Sequence, residues 1–161
     1  ELETGSALDF ELGYHEITAD AHGLLFLVAD GMGGAASGEL ASSMAGSLVL
    51  DELRQRWSEA PPSGQRFAEA LRDATVHANT RIHQHARENP EHRGMGTTAT
   101  VAGLLRDTLF VVQVGDSRAY LIREGQARQL TKDQSLMQRL VEAGELTPEE
   151  AEVSDRRNII V

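Results

Sequence analysis

The chain has 161 residues, 40% of them apolar, which is enough for one domain with its own hydrophobic core and too little for two. It contains no cysteine, so disulfide frameworks, thiolate nucleophiles, zinc ribbons and iron–sulfur clusters are excluded together. A formal net charge of −10 disfavours nucleic acid and anionic lipid, and the longest apolar stretch, Leu24 to Ala29, is far shorter than the roughly 20 residues that cross a bilayer. A soluble, cytoplasmic protein is expected, with no nucleic-acid or membrane partner.

In chain order, the mixed alternation from Phe10 to Thr18 predicts an edge strand. Leu24 to Ala29 is a continuous apolar run between Gly23 and Asp30-Gly31, the pattern of a strand buried on both faces. From Ser37 to Trp57, Leu40, Met44, Leu48 and Leu53 recur at helical spacing with Ala41 and Ala45 beside them, and Pro61-Pro62 allows no continuation. A second helix is predicted from about Ser63 to Arg87, with Phe67, Leu71, Ala74, Ala78, Ile82 and Ala86 along one face.

After Gly94-Met95-Gly96 the period falls to two. Thr97–Leu105, Thr108–Val114, Ala119–Arg123 and Ala127–Leu130 are separated by turn residues and read as a β-meander. Asp133 to Ala143 is predicted helical, stopped by Gly144, and Thr147-Pro148-Glu149-Glu150 carries a capping box that opens another short helix. The final residues, Asn158-Ile159-Ile160-Val161, read as an interrupted strand. Strands, two long helices and a meander make an α+β layered domain.

The sharpest local signal is Asp30-Gly31-Met32-Gly33-Gly34-Ala35-Ala36 between a strand and a helix. Gly31-x-Gly33-x-x-Ala36, with Asp51 about 20 residues on, matches a dinucleotide fingerprint in form. However, Asp51 falls inside a helical run rather than at the end of a second strand, and Asp30 would set a carboxylate against the pyrophosphate. A hard-metal reading suits the residues better: a carboxylate at a strand end and a flexible glycine carbonyl beside it are oxygen donors for Mg²⁺ or Mn²⁺. The plain structural alternative is an Asp-Gly turn whose side chain caps the next helix.

Phe26 to Gly34 resembles the signature of the metal-dependent Ser/Thr protein phosphatases of type 2C, in their bacterial form. Gly94 to Thr100, Val114 to Tyr120, Leu130 to Ser135 and Arg156 to Ile160 resemble later motifs of that family, in the family's order. The resemblance implies a four-layer α-β-β-α sandwich of two antiparallel sheets flanked by helices, incomplete here. It implies two Mn²⁺ or Mg²⁺ ions, with Asp30 bridging both and Gly31 contributing its main-chain carbonyl, and Asp116 helping to hold a third, weaker ion. It further implies in-line hydrolysis of phosphoserine and phosphothreonine proteins by a hydroxide bridging the metals, a cognate Ser/Thr kinase as partner, and a flap over about 141–158. Such chemistry needs no covalent enzyme intermediate, in keeping with the absent cysteine.

The family's phosphate-binding Arg and its Asn-Glu-Asp segment have no counterpart here. Asp9, Glu11 and Asp20 precede Asp30 without that motif, and His15 and His22 stand where a general acid is sought. The family's later Asp motifs would follow Val161, so the 161 residues are expected to be inactive alone. A non-catalytic phosphatase-like module that binds a kinase or phosphoprotein stays open as the alternative. His77, His83 and His85 are too poorly spaced on one helix to share an ion and are expected to be solvated. Arg54, Arg56 and Trp57 read as a helix end with a half-buried Trp, and Arg156-Arg157 as a solvated basic pair.

Overall fold

Three strands, Leu24–Val28 (β1), Ala99–Leu105 (β4) and Thr108–Val114 (β5), form an antiparallel sheet in the order β1-β4-β5. The computed structural model describes residues 23–57, 63–156 and 159–161. The strand expected over Phe10–Thr18, the Pro61-Pro62 stop and Arg157 lie outside them. Two helices, Ala35–Arg56 (α1) and Gly64–Glu88 (α2), cover one face of the sheet.

Register decides which side chains meet those helices. Leu25 pairs with Gly103 and Leu27 with Val101, while Phe110 and Val112 lie opposite the same two β4 residues. Leu25, Leu27, Phe110 and Val112 therefore point to the helical side, where they pack on Val49, Leu53, Phe67 and Leu71. Phe26 and Val28 alternate to the other face and are 50% and 62% exposed. Among the described residues the strand is therefore covered on one face, short of the burial on both faces that its sequence predicts. Among the described residues, helices cover only one face of an antiparallel sheet, of which β1 is an edge.

Helix α2 behaves as its periodicity predicts, burying Phe67, Leu71, Ala74, Ala78 and Ile82, and Ser63 accepts a hydrogen bond from the Arg66 amide as N-cap. Helix α1 buries Gly38, Ala41, Ala45, Val49 and Leu53, whereas Leu40, Met44 and Leu48 are only half-buried. Ala41 and Ala45 cluster with Ile82 of α2 and Met95, while Val49 and Leu53 carry the buried stripe on to Phe67 and Leu71. Trp57 at the end of α1 stacks on Phe67 with ring centroids 4.7 Å apart, the half-buried Trp expected there.

The predicted meander divides in two. β4 and β5 form one hairpin; Tyr120–Arg123 (β6) and Gln126–Gln129 (β7) form another, in a separate sheet. Glu124 and Gly125 both take positive φ, as a two-residue turn of that hand requires. The break falls at residues 115–119, which a web of side-chain hydrogen bonds holds away from the ladder. The run predicted from Thr97 also splits: Gly96–Thr97 (β3) pairs with Gly31–Met32 (β2), and Thr98 separates β3 from β4. Helices Leu136–Glu142 (α3) and Pro148–Glu152 (α4) follow, the latter with the predicted Thr147–Glu150 capping box formed in both directions. Ile160 makes an isolated bridge to Ser135 instead of a strand. No helix among the described residues is long and apolar enough to cross a membrane.

Gly103 is the seat of α2 on the sheet. A Cβ there would lie 2.4 Å from the Phe67 ring and 3.0 Å from Leu71 Cδ1. Gly103→Val is expected to destabilise the protein by about 1–3 kcal/mol through overpacking, read as a lower urea midpoint with unchanged slope.

Charges join the outer edges of the two helices. Arg56 contacts Glu52 at 2.9 Å and Asp73 at 3.2 Å, and His77 Nδ1 lies 3.0 Å from Glu52. The Arg56 hydrogen bond holds the Glu52 carboxyl below its ordinary 4.5. A depressed folded-state pKa adds stability above the unfolded value that disappears as pH falls through the folded one. Glu52→Gln should thus lower the melting temperature at pH 7, with the gap to wild type closing as pH drops below 4.5.

Candidate metal centre

Asp30 follows β1 directly, and its backbone is fixed on both sides. Its amide donates to Thr98 Oγ1 at 3.0 Å, and its carbonyl accepts from the Thr98 amide at 2.9 Å and from Thr97 Oγ1 at 3.0 Å. The carboxylate itself is exposed and has no partner among the described residues. It does not cap α1, whose N-cap is Gly34 with no side-chain hydrogen bond, so the helix-capping alternative is set aside. Asp51 lies within α1, so the helix predicted there is present and no second strand places an acid on a ribose.

Gly31 is constrained more severely than any turn preference requires. A Cβ on it would stand 1.9 Å from the Gly38 carbonyl oxygen, and one on Gly38 would stand 2.8 Å from the Gly31 oxygen. Two bare backbones touch where the turn meets the first turns of α1, and the Gly31 carbonyl is held against that contact.

The second acidic turn, Gly115 to Ala119, is tied down by side chains. Gln113 Nε2 donates to the Gly115 and Ser117 carbonyls, Thr100 Oγ1 donates to the Ser117 carbonyl at 2.7 Å, and Gly115 exchanges two hydrogen bonds with Gln134. Arg118 grips Asp133 with a fork of three contacts between 2.6 and 3.1 Å, and the Asp133 hydrogen bonds raise the guanidinium above its ordinary range. Asp116 is half-buried, and its carboxylate does not bond its own turn. An Asp in such a turn commonly bonds its own backbone, and this one does not.

Thr98 joins the two turns: the hydroxyl that accepts from the Asp30 amide lies 2.7 Å from Ser117 Oγ, next to Asp116. Unpaired carboxylates and a peptide carbonyl, with no thiolate or imidazole among them, are the donor chemistry of a hard divalent cation. The residues fit Mg²⁺ or Mn²⁺ without completing a site, since no group of three or more His, Asp or Glu converges among the described residues. A cleft of about 270 Å³ lies between α1, α2 and the β2–β3 ribbon, with walls that include Ala45, Val49, Ala78, Ile82 and Met95. No carboxylate lines it, so the acid chemistry belongs to the two turns and not to this cleft.

Two of the three helical histidines are not simply solvated. His77 faces Glu52, and His85 Nε2 lies 2.8 Å from Nδ1 of His92, a residue beyond the Asn89-Pro90 break that helical spacing could not connect to it. His83 is exposed, as expected. Arg54 and Arg56 are taken up by Asp51, Glu52 and Asp73, which leaves no anion platform at the end of α1. Arg156 is exposed, in line with a solvated role. Asp9, Glu11, Asp20, His15 and His22 lie outside the described residues.

Known proteins show the same combination of turns and helices. The serine/threonine protein phosphatase PstP of Mycobacterium tuberculosis is 41% identical over 138 residues, which is 85% of this chain and 26% of that protein. Protein phosphatase PhpP of Streptococcus pneumoniae is 37% identical over 140 residues, 84% of this chain and 54% of its own length. The crystal structure of the M. tuberculosis phosphatase superposes with a TM-score of 0.73 at 36% identity, covering 85% of this chain and 56% of that one. The PstP catalytic domain in complex with two manganese ions gives 0.67 at 38% identity, covering 79% and 53%. This chain thus spans about half the length of the solved structures it matches. The family model of protein phosphatase 2C matches residues 13–155, which include both acidic turns, and the chain belongs to that family.

Proposed function

We propose that the protein of which these residues form part is a metal-dependent Ser/Thr phosphoprotein phosphatase. The observation that carries the reading is the Thr98 junction, which fixes two unpaired carboxylates, Asp30 and Asp116, on adjoining turns. Asp30 and the Gly31 carbonyl would hold a pair of Mn²⁺ or Mg²⁺ ions, and Asp116 a third. When bound, such ions supply an activated water and the positive charge that phosphoryl oxygens demand. The chain's own part is positional: Thr97 and Thr98 immobilise the Asp30 backbone, the Gly31–Gly38 contact fixes the neighbouring carbonyl, and the Gln113 web holds Asp116. In this reading water attacks directly with no covalent enzyme intermediate, and the absence of cysteine is in keeping with that route.

In this reading the described helices and sheet are the first half of a four-layer α-β-β-α sandwich, and the apolar face bearing Phe26 and Val28 is where a second sheet lies. The segment over about 141–158, with α4 inside it, is a flap beside the site. Substrates are phosphoserine and phosphothreonine proteins, a cognate Ser/Thr kinase supplies them, and the protein works in the cytoplasm.

The test is Mn²⁺-dependent hydrolysis of p-nitrophenyl phosphate by the full-length protein. Asp30→Asn is expected to lose activity by at least about 100-fold while staying folded by circular dichroism. Equal turnover in variant and wild type would sink the role of Asp30, and an inactive full-length protein would favour a binding module. Thr98→Val tests the junction separately. It should raise the Mn²⁺ concentration for half-activity by about tenfold, and Thr98→Ser, which keeps the hydroxyl, should restore it. A Thr98→Val protein with wild-type Mn²⁺ dependence would show that the hydroxyl does not position the ligands.

A further inference from the structure

We propose that His85 and His92 form a second cation site, distinct from the carboxylate turns, that takes a borderline transition-metal ion such as Zn²⁺ or Co²⁺. The two imidazoles converge across the end of α2: His85 Nε2 and His92 Nδ1 are 2.8 Å apart, with ring centroids at 5.0 Å and planes only 19° from parallel. Both residues are half-buried, so their orientation is held while solvent still reaches them. The backbone fixes the geometry from both sides. The Asn89 amide and side chain both donate to the His85 carbonyl, and a 3₁₀ turn over Pro90–His92 returns the second ring towards the first.

Two nitrogens on one tetrahedral ion, with bonds of about 2.0–2.1 Å, stand roughly 3.3 Å apart. The two nitrogens face each other nearly along one line, so a shared ion requires the pair to open by about half an ångström and each ring to turn by roughly 35°. In the unloaded pair one facing nitrogen must carry the hydrogen of the bond. On binding, that ring moves its proton to its other nitrogen, so both lone pairs face the ion and no net proton is released from neutral rings. The pair lies at the carboxyl end of a 25-residue helix, where unsatisfied carbonyls favour positive charge. Imidazole selects zinc, cobalt, nickel and copper over Mg²⁺ or Ca²⁺, whereas the Asp30 turn offers only oxygen. With two protein ligands the remaining positions belong to water, so binding is weaker than in a closed four-ligand site.

The site would brace the neighbouring ribbon. The Met95 amide donates to the His92 carbonyl, Met95 is buried with Ala41, Ala45 and Ile82, and Gly96–Thr97 pairs with Gly31–Met32 beside the acidic turn. This inference does not rest on the phosphatase reading.

Co²⁺ titration of the full chain, read by visible absorption with Zn²⁺ as competitor and saturating Mg²⁺ on the oxygen site, tests it. His85→Gln and His92→Gln should each weaken Co²⁺ binding by at least about tenfold. His83→Gln and Asp30→Asn should leave it unchanged. Unchanged affinity in both pair variants, or loss in Asp30→Asn, would overturn the proposal. Imidazole NMR of the wild type gives an answer without any variant. His85 and His92 signals are expected to move first with Zn²⁺; movement of His77 instead, beside Glu52, would also overturn it.

Discussion

The join between the two acidic turns depends on one hydroxyl. Thr98 sits where β3 ends and β4 begins, and its backbone amide and side-chain oxygen both serve Asp30 while the same oxygen meets Ser117. It is buried, so those bonds face little competition from water. A threonine suits the position twice: its Oγ1 answers the Asp30 amide, and its methyl lies against Gly115, where a Cβ would come within 2.7 Å. The strand break that interrupts the ladder at Thr98 is the feature that lets one residue address both turns.

The two long helices play a simpler part. Their large side chains, Val49 and Leu53 from one and Phe67 and Leu71 from the other, share one cluster with Val101 and Leu105 of the sheet. Because β1 and β4 are paired residue for residue, the end of β1 and the start of β4 come together, and so do Asp30 and Thr98. The placing of Asp30 is in this sense inherited from strand register. A slip of one residue would turn Leu25 and Leu27 outward and carry Asp30 away from its hydroxyl.

The legible part of the fold was the part governed by period. Helix α2 announced itself through Phe67, Leu71, Ala74, Ala78 and Ile82, and Thr147 through its capping chemistry, because both signals are local. Helix α1 also follows its periodic residues, with Leu53, Ala41 and Ala45 buried and Leu40, Met44 and Leu48 half-buried beside them. The unbroken apolar run of β1 gives it two faces fit for burial, of which the described residues cover the one bearing Leu25 and Leu27. The acidic turns were visible through motif resemblance, but the roles of Thr98, Gln113 and the His85–His92 pair were not. Thr98 meets Asp30 across 68 positions and His85 meets His92 across a helix break, while Gln113 reaches only two and four residues along but inside an irregular turn that has no periodic signature.

The contact between Gly31 and Gly38 has a consequence for how this sequence can change over time. Any replacement of a glycine by another residue introduces at least a methyl group, and at Gly31 there is no volume for one. A compensating change at the partner position is closed as well, because Gly38 is already the smallest residue. The pair is therefore a dead end for sequence drift: neither member can move first, and neither can rescue the other.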